Sequence, residues 1–523
     1  MPISVRVSLC LSLCCLGACA AVGPEYVRPE SPLTPDWYQT EREGFETTPE
    51  EQIRWWQQFN DSALNSLVEL AHERNNNLKI AALRVLESRA QLGIAIGNKY
   101  PLTQAVVGDA TAVQASKNAA NTAAGDLSYT QFNVGVGASW EIDFWGKFRR
   151  GVEAADAAYL TSIAAYDQVM ILLTAQVCGT YLTIRTLEEQ LRITNENIAI
   201  QQRSFDIVDV QFKNGSTSEL DVLQANTQLL STRSTVPQLQ TELYQAQNAM
   251  STLLGMAPSD ISDLLGAGTT IPKIPGAAAL GLPADLLRRR PDLRQAEYLA
   301  MAQNASVGLA ESNLYPSFSL NGSLGLSAAG GTDTTRTGNS GFGQLFDGDS
   351  ITYAIGPSFV WPFLNYGRIR NSVRVQDARL QQALIAYRET AIQAAREVED
   401  AVVALDGAKK QNNLLEEAVA TAVRSSEVAM LRFNEGFADY QRVLSAQQAL
   451  FAQQSRYVTN QSSVVASYIS LYLALGGGWQ LRYENELLDA ETSETMMERT
   501  NWGDLIEITE TETGVINPDQ ELR

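Results

Sequence analysis

The stretch FNVGVGASWEIDF, residues 132–144, decides the fold because apolar and polar side chains alternate at every position. The apolar positions are Phe132, Val134, Val136, Ala138, Trp140, Ile142 and Phe144. Asparagine, glycine, serine, glutamate and aspartate occupy the positions between them. Because successive side chains of a β-strand point to opposite faces, this period of two predicts a strand with one apolar and one polar face. We place that strand at about 129–144.

The strand belongs to a unit that occurs twice in the chain. Residues 77–101 match residues 292–316 at a separation of 215. Farther along, the separation is 221 residues, and the pairs include Trp140 with Trp361, Gly215 with Gly436 and Gly255 with Gly476. The sequence therefore predicts two copies of one unit, at 51–264 and 284–479, joined by a linker at 265–283.

Each copy carries two alternating segments, which predicts four strands in the chain. In the first copy, a weaker strand at about 103–114 precedes the strand at 129–144. In the second copy, the strands fall at about 317–328 and 350–364, and a polar loop joins them. Period-two alternation over ten or more residues is typical of a sheet with one face buried in an apolar medium.

Two long helical hairpins follow the strands, at 146–255 and 367–476. The outgoing arm of each covers about 69 residues without a proline, which as one α-helix reaches about 100 Å. Apolar residues recur at helical spacing, and this pattern favours helices packed along their length like a coiled coil. Gly215 and Gly436 are the predicted turns, and Pro237 is predicted to kink the first return arm.

Composition excludes several classes of function. The chain has 39 basic and 59 acidic residues and a formal net charge of −20, so a nucleic-acid partner is not expected. Residues 480–523 carry −9 of this charge and either wrap the helical part or are disordered; the sequence leaves both open. His72 is the only histidine, which excludes multi-histidine metal sites and most histidine-dependent catalysis.

Nothing in the sequence predicts an enzyme, a cofactor or a metal site. The glycine-rich residues 338–343 lie in a polar loop between strands, whereas a phosphate cradle connects a strand to a helix. The carboxylate pair Glu397 and Glu399 lies on a predicted helix where no pocket is implied. We therefore expect no catalytic residue.

The N-terminus predicts export and lipidation. Residues 1–18 combine one arginine with a short apolar stretch, and the Leu-Gly-Ala before Cys19 resembles the bacterial lipobox. We expect Cys19 to become the lipid-bearing N-terminus of an extended segment at 19–50. Ala20 follows instead of the aspartate that retains such proteins at the inner membrane, which indicates the outer membrane. Cys178 would then be the remaining thiol, on a buried helix face.

Four strands cannot close into a barrel by themselves. An open sheet edge in lipid leaves backbone groups unpaired at several kcal/mol each. The strands therefore either lie outside the membrane or combine with strands of other chains. The apolar face, rich in Trp, Phe and Tyr, favours membrane insertion.

Several stretches between residues 19 and 479 resemble the TolC/OprM type of outer-membrane channel, in its lipoprotein branch. They are Cys19 with Val22-Gly23-Pro24-Glu25-Tyr26 and Pro29; Trp55, Trp56, Phe59, Asp61, Leu64 and Leu67; Leu286, Leu287, Arg289-Arg290-Pro291-Asp292-Leu293-Arg294, Ala296 and Glu297; and Ala474-Leu475-Gly476-Gly477-Gly478-Trp479. The resemblance implies a TolC-like fold, in which long coiled-coil hairpins form a periplasmic α-barrel and each chain adds four strands to a trimeric, twelve-stranded transmembrane β-barrel.

The resemblance also implies a function and partners. Such a homotrimer sits in the outer-membrane lipid of a Gram-negative bacterium and extends into the periplasm. It conducts drugs or other small toxic solutes passively from an inner-membrane resistance-nodulation-division pump, through a periplasmic adaptor, to the exterior. The lipidated opening favours this efflux assignment. The alternatives are a duct for type I protein secretion and, from another class, a periplasmic coiled-coil adaptor or structural lipoprotein.

By the same resemblance, Gly215 and Gly436 mark the tip that faces the adaptor, and nearby residues form a gate. The gate candidates are Glu219, Asp221, Glu435, Asp439, Arg442 and Ser445. Asp221 matches an acidic family position, whereas Ser445 stands where the family commonly has aspartate. We hypothesise that Asp221 and Arg442 form part of an inter-helix latch; alternatively, these charges are solvated residues at a helix turn. Phe437 and Tyr440 either contact the adaptor or pack locally.

Overall fold

The computed structural model describes residues 21–30, 33, 37–38, 45–46, 53–101, 103–118, 127–266, 268, 270–275, 278–279, 290–331, 341–483 and 487–506. The predicted signal at 1–18, Cys19, Leu286, Leu287 and Arg289 lie outside the described residues, as do 332–340 and 507–523.

The described part of the chain is mostly helical, with a small sheet. The helices are α1 (Ser62–Arg74), α2 (Asn76–Gly97), α3 (Lys147–Lys213), α4 (Glu219–Leu253), α5 (Ser262–Leu265), α6 (Pro291–Ser312), α7 (Arg368–Asn434), α8 (Tyr440–Ala474) and α9 (Ala490–Arg499). The strands are β1 (Phe45–Glu46), β2 (Thr103–Gln114), β3 (Ser128–Ile142), β4 (Ala278–Ala279), β5 (Ser317–Gly331) and β6 (Ile351–Val360). Short 3-10 turns lie at 55–59, 342–344, 348–350, 479–483 and 503–505.

The four long strands form one antiparallel sheet in the order β2-β3-β5-β6. The pair β3–β5, which joins the two sequence copies, runs from Tyr129↔Gly331 to Ile142↔Phe318. Chain contacts divide the protein into two compact units, and the sheet lies in the unit formed by 1–29, 87–160 and 297–385. Each unit therefore contains parts of both copies, and in this unit strands of one copy pair with strands of the other.

Strand ends differ from the predicted ends for local reasons. β3 stops at Ile142, two residues before the predicted end, because the Asp143 carboxylate accepts hydrogen bonds from the N–H groups of Phe148 (3.2 Å) and Arg149 (2.9 Å). This contact caps α3 and turns the backbone out of the ladder. β6 ends at Val360, not at 364, and Pro362 lacks the N–H that a longer ladder needs.

The predicted hairpin arms are continuous helices. α3 and α7 each have 67 residues, and α4 and α8 each have 35. α4 runs through Pro237 without interruption. Of the described helices, α3 alone is long and apolar enough to cross a membrane, and 56% of its most apolar window is buried, as in an ordinary core helix.

The second unit, formed by 30–86, 161–296 and 386–523, has an aromatic core. Trp55 stacks on Tyr472 at 5.5 Å between ring centroids, and Phe59 meets the ring of Tyr468 edge-on at 5.5 Å. Cys178 is buried on α3, as predicted, and burial raises the pKa of its thiol. The same burial makes the thiol unreactive.

Part of the acidic tail packs on this second unit. Leu481, Leu488 and Met496 are buried, and Lys79 forms an ion pair with Asp489 at 2.9 Å. The Asp489 carboxylate also accepts a hydrogen bond from the N–H of Thr492 and caps α9. The described tail residues 480–483 and 487–499 are therefore packed against the fold.

A buried charge cluster links three distant parts of the second unit. Asp167 on α3 is fully buried, and its two carboxylate oxygens lie 2.7 Å from Arg482 and 3.1 Å from Arg294. The Arg294 guanidinium also stacks over the ring of Trp479 at 4.7 Å. Asp167 thus neutralises two arginines that water cannot reach freely. The packing of α3, α6 and the turn at 479–483 against one another therefore depends on this carboxylate.

We predict that Asp167→Asn lowers the free energy of unfolding by about 3–5 kcal/mol, because two largely buried arginines lose their counter-charge. Asp400→Asn is the matched control, since Asp400 is 76% exposed and lies 3.9 Å from Arg396. We expect the control to cost about 0.5 kcal/mol or less. Thermal unfolding of the detergent-solubilised protein, followed by circular dichroism, measures both; equal effects of the two substitutions would contradict the role of the cluster.

Candidate functional site

The apolar face of the sheet is uncovered among the described residues. Val106, Tyr353 and Ile355 on this face have exposed fractions of 77–79%. The apolar positions from Phe132 to Ile142 span ten steps along β3, which at about 3.4 Å per residue and a tilt of about 40° rise about 25 Å. This height matches the apolar band of an outer-membrane barrel.

Tryptophans border this apolar face at the end where the strands meet the helices. The Trp140 indole N–H donates to the carbonyl of Lys99 at 3.1 Å, and that of Trp361 donates to the carbonyl of Leu314 at 3.1 Å. The two contacts are equivalent in the duplication. Other aromatics exposed in this region are Tyr100, Phe144, Phe363 and Tyr366. Amphipathic rings in such a row are typical of a membrane–water interface.

The opposite face of the sheet is polar and hydrogen-bonded across the strands. The Asn133 amide donates to Asp109 at 3.1 Å and accepts from the Ser327 hydroxyl at 2.8 Å. Ser139 donates to Asn321 at 2.7 Å, and Asn321 donates to Ser358 at 2.8 Å. Hydrogen-bonding side chains form both of these rows, so this part of the face is suited to water.

The outer strands β2 and β6 have no neighbour on their outer sides among the described residues. They are 12 and 10 residues long. Each therefore presents a row of backbone N–H and C=O groups that are free to pair with another chain.

The N-terminal segment 21–29 is fixed to the unit that contains the sheet. Arg150 on α3 has an exposed side-chain fraction of 2% and lies 2.7 Å from both Glu25 and Glu153. Its Nε also donates to the carbonyl of Val22 at 3.1 Å. Because Arg150 is desolvated and hydrogen-bonded to charges, removing either partner leaves it poorly compensated.

Two further contacts continue this attachment. Arg28 forms a bidentate pair with Glu297, with both distances 2.7 Å. Gly23 lies directly against the backbone of Gly308, so a side chain at Gly23 would overlap Gly308, and a side chain at Gly308 would overlap Val22 and Arg150. The segment thus follows one defined path along α3 and α6.

Cys19 lies outside the described residues, which begin at Ala21. Ala21 packs against Gly146, four residues beyond the end of β3. Ala21 comes two residues after Cys19 in the sequence.

The first hairpin turn is tightly capped. Gly215 adopts a left-handed φ of +75°, and the N–H of Ser216 donates to the carbonyl of Gln211 at 2.8 Å in a Schellman motif. Ser218 and Asp221 then form a reciprocal capping box at the start of α4. The Asp221 carboxylate accepts from the hydroxyls of Thr217 and Ser218, both at 2.7 Å.

These contacts determine the charge of Asp221. Burial by itself would raise the pKa of its carboxyl, but the hydrogen bonds from Ser218 and Thr217 outweigh burial and lower it. The negative charge therefore stabilises the turn at neutral pH, and that contribution is lost as the pH falls below about 4.

The second turn has the same backbone with different capping. Gly436 has a φ of +77°, and the N–H of Phe437 donates to the carbonyl of Arg432 at 2.8 Å. Asp439 occupies the N-cap of α8, but its side chain makes no capping hydrogen bond. Arg442 stands where the duplication places Asp221, and it lies 3.8 Å from Asp439 with both side chains more than 70% exposed.

An apolar cluster holds the two turns together. It contains Val208, Ala225, Phe433, Tyr440, Val443 and Leu444. Tyr440 therefore packs locally, and burial followed by the nearby Asp221 charge raises its pKa to about 12. Phe437 is 80% exposed and does not join the cluster.

The remaining gate candidates lie at the surface. Glu219, Glu435 and Ser445 are exposed. Within the described part of one chain, no ion pair joins Asp221 to Arg442, since each makes local contacts. The latch between Asp221 and Arg442 remains a prediction, and it would have to form between neighbouring chains. Likewise, the described residues contain no cluster suited to a metal ion.

A family model for outer membrane efflux proteins matches residues 67–256 and 282–477, well over half of the chain. The chain belongs to the outer membrane efflux protein family. Its members are trimeric channels that work with adaptors and inner-membrane pumps, rather than enzymes.

Individual relatives agree with this family assignment. The cation efflux system protein CusC of Escherichia coli is 30% identical over 480 residues, covering 90% of this chain and 98% of CusC. The pyoverdine export outer membrane protein OpmQ of Pseudomonas putida is 30% identical over 433 residues, covering 82% and 88%. The structure of the outer-membrane channel OprN matches with a TM-score of 0.81 at 27% identity, covering 88% and 99%.

These findings confirm the TolC-like fold and the outer-membrane efflux function. The chain is an efflux duct of a Gram-negative outer membrane that extends into the periplasm.

Two structural features of the site were not predicted from the sequence. The Arg150 attachment joins residues 125 or more apart in the chain and left no local signal. The Ser218–Asp221 capping box did leave a local signal in the sequence, because a serine followed three residues later by an acidic residue is a known helix-start pattern.

We predict that Ser218→Ala speeds amide hydrogen exchange in the first turn of α4 about fivefold, since the loss of a working N-cap costs about 1 kcal/mol. Asp439→Ala is the control at the equivalent N-cap of α8. Its side chain makes no capping hydrogen bond, so we expect a smaller change there. Exchange measured by mass spectrometry tests both; equal acceleration at the two turns would show that the capping difference is unimportant.

Proposed function

We propose that the protein is the lipid-anchored, homotrimeric exit duct of a tripartite efflux system, joined through a periplasmic adaptor to a resistance-nodulation-division pump. One observation carries the proposal. A four-stranded sheet with an uncovered apolar face and two unpaired edges continues into 67-residue helices. A sheet of this kind needs further strands before it is stable in lipid.

Three copies would provide these strands. β6 of one chain would pair with β2 of the next, and three such junctions close twelve strands into a barrel without edges. The polar face would line the interior and the apolar face would meet lipid. The six helical hairpins would form the periplasmic part in the same arrangement.

Acylation of Cys19 would add a second attachment to the membrane. The support is that Cys19 comes two residues before Ala21 in the sequence, and Ala21 packs on Gly146 just after β3. An acyl chain near Gly146 would lie close to Trp140 and Phe144, which border the apolar face. The Arg150 contacts would keep the anchor there in every copy.

The turns at Gly215 and Gly436 would form the tip that meets the adaptor. Phe437 and Leu220 are 80% and 62% exposed at these turns, and such apolar side chains suit a protein partner. Glu219, Asp221, Glu435, Asp439 and Arg442 would surround the opening at the tip. Contacts between Asp221 and Arg442 of neighbouring chains would then contribute to its closure.

The transported solutes would be small, and this chain would not select among them. Asp109 and Glu141 are the carboxylates on the polar face of the described strands, and Glu141 is paired with Lys147 at 3.0 Å. A wet, weakly acidic wall favours cations over anions without selecting one compound. The pump therefore determines which drugs or toxic solutes enter.

A photocrosslinking amino acid at position 437 tests the adaptor contact in cells. We expect adducts with the adaptor of a resistance-nodulation-division system, because Phe437 is exposed at the turn. Tyr38, 91% exposed in the second unit, is the control position and should give none. Adducts with a type I secretion adaptor would replace the efflux assignment, and a position 437 free of adducts would contradict docking at the turn.

Cys19→Ala tests the anchor. We expect the variant to lose labelling by radioactive palmitate completely while the chain is still exported. The Arg150→Ala variant is the companion experiment, and it should keep the label because the thiol is intact. Undiminished labelling of Cys19→Ala would show that a residue other than Cys19 carries the lipid.

A further inference from the structure

The loop between β5 and β6 carries two exposed phenylalanines. Phe342 and Phe346 have exposed fractions of 60% and 69%, while Leu345 between them is buried. The described part of this loop is compact, because Gln344 N–H donates to the carbonyl of Gly341 at 3.0 Å and the Ser350 hydroxyl donates to the carbonyl of Gln344 at 2.7 Å. Its exposed apolar side chains are therefore held in place by the backbone.

The direction in which the loop folds is given by a ring contact. The Phe342 ring lies 5.4 Å from the Phe132 ring, and Phe346 lies 6.0 Å from Phe342. Phe132 is in register with Ala110 and Ala328, and it shares its face with Val134 and Val136. This is the apolar face of the sheet. The loop thus folds over the side that faces lipid, and the polar side of the strands stays open.

We propose that residues 341–350 form a lipid-contact collar, in which Phe342 and Phe346 insert among the acyl chains of lipopolysaccharide in the outer leaflet. The collar continues the apolar face beyond the start of β3, at the end of the sheet opposite the helices, so that the surface proposed to contact lipid becomes taller there. The proposal rests on the outer-membrane location of the family and not on the pump or the substrate.

Charged side chains set the depth of this insertion. Asp347 and Asp349 follow Phe346 directly and are exposed. A carboxylate stays in the hydrated headgroup layer, whereas a phenylalanine gains free energy in hydrocarbon. Within four residues, the collar therefore passes from Phe346, which suits hydrocarbon, to Asp349, which suits the hydrated headgroup layer. A loop that closed the exit as a lid would need its aromatic rings on the polar face, where Asp109 and Asn133 lie.

Fluorescence quenching tests the collar in the assembled protein. Bimane is attached to Phe342→Cys, to Phe346→Cys and to the control Asp349→Cys; Cys178 is buried and does not compete for the label. The trimers are placed in vesicles of phosphatidylethanolamine and lipopolysaccharide, which contain a phospholipid with a doxyl group on its acyl chain. We expect at least a twofold loss of fluorescence at 342 and 346 from the doxyl lipid and little loss from aqueous iodide.

The control label at 349 should show the reverse order of quenching. If iodide quenched 342 and 346 as strongly as 349, the collar would be wrong. If neither quencher acted at 342 and 346, another protein surface or a second copy would cover the loop, and the lipid assignment would fail.

Single-channel recording of the double variant Phe342→Ser/Phe346→Ser gives an independent readout. We expect a conductance equal to that of the native trimer, since the collar lies outside the polar face. An increased conductance would identify the loop as a lid and contradict the proposal. A native protein that conducts no ions at all would instead argue against the duct, so failure of the collar and failure of the proposed function are distinguishable.

Discussion

Unpaired backbone groups at the sheet edges are the constraint on which the structure depends. In hydrocarbon each free N–H or C=O costs several kcal/mol, and β2 and β6 present such groups along 12 and 10 residues. No other described strand pairs with these edges in the sheet order β2-β3-β5-β6. The apolar face cannot enter a membrane unless the edges are paired. Membrane insertion therefore requires that several chains assemble.

The duplication supplies equivalent contacts in both copies, and the copies have diverged where the protein meets its surroundings. Asn75 donates to the carbonyl of Leu253 at 2.8 Å, and Arg290, at the equivalent position, donates to the carbonyl of Ala474 at 2.8 Å. Both close the return helix of their own copy. At the turns, by contrast, the Ser218–Asp221 capping box became Asp439 and Arg442. The second turn therefore has a weaker cap and an exposed positive charge.

Sequence reasoning succeeded where structure follows from local pattern. Period-two alternation predicted β2 with its observed ends, and the turn glycines Gly215 and Gly436 lie at left-handed φ values, where glycine alone avoids strain. It failed where a side-chain contact leaves no periodic pattern in the sequence. Asp167 meets Arg482 across 315 residues, and the end of β3 depends on a cap by Asp143. The resemblance to channel proteins, rather than any pattern, suggested three chains instead of two.

The mass of the folded, detergent-solubilised particle tests the central claim most directly. Native mass spectrometry after detergent removal should give three times the mass of one acylated mature chain, with the strands intact by circular dichroism. A fully folded single chain, with its sheet retained and its outer strands unpaired, would contradict the account.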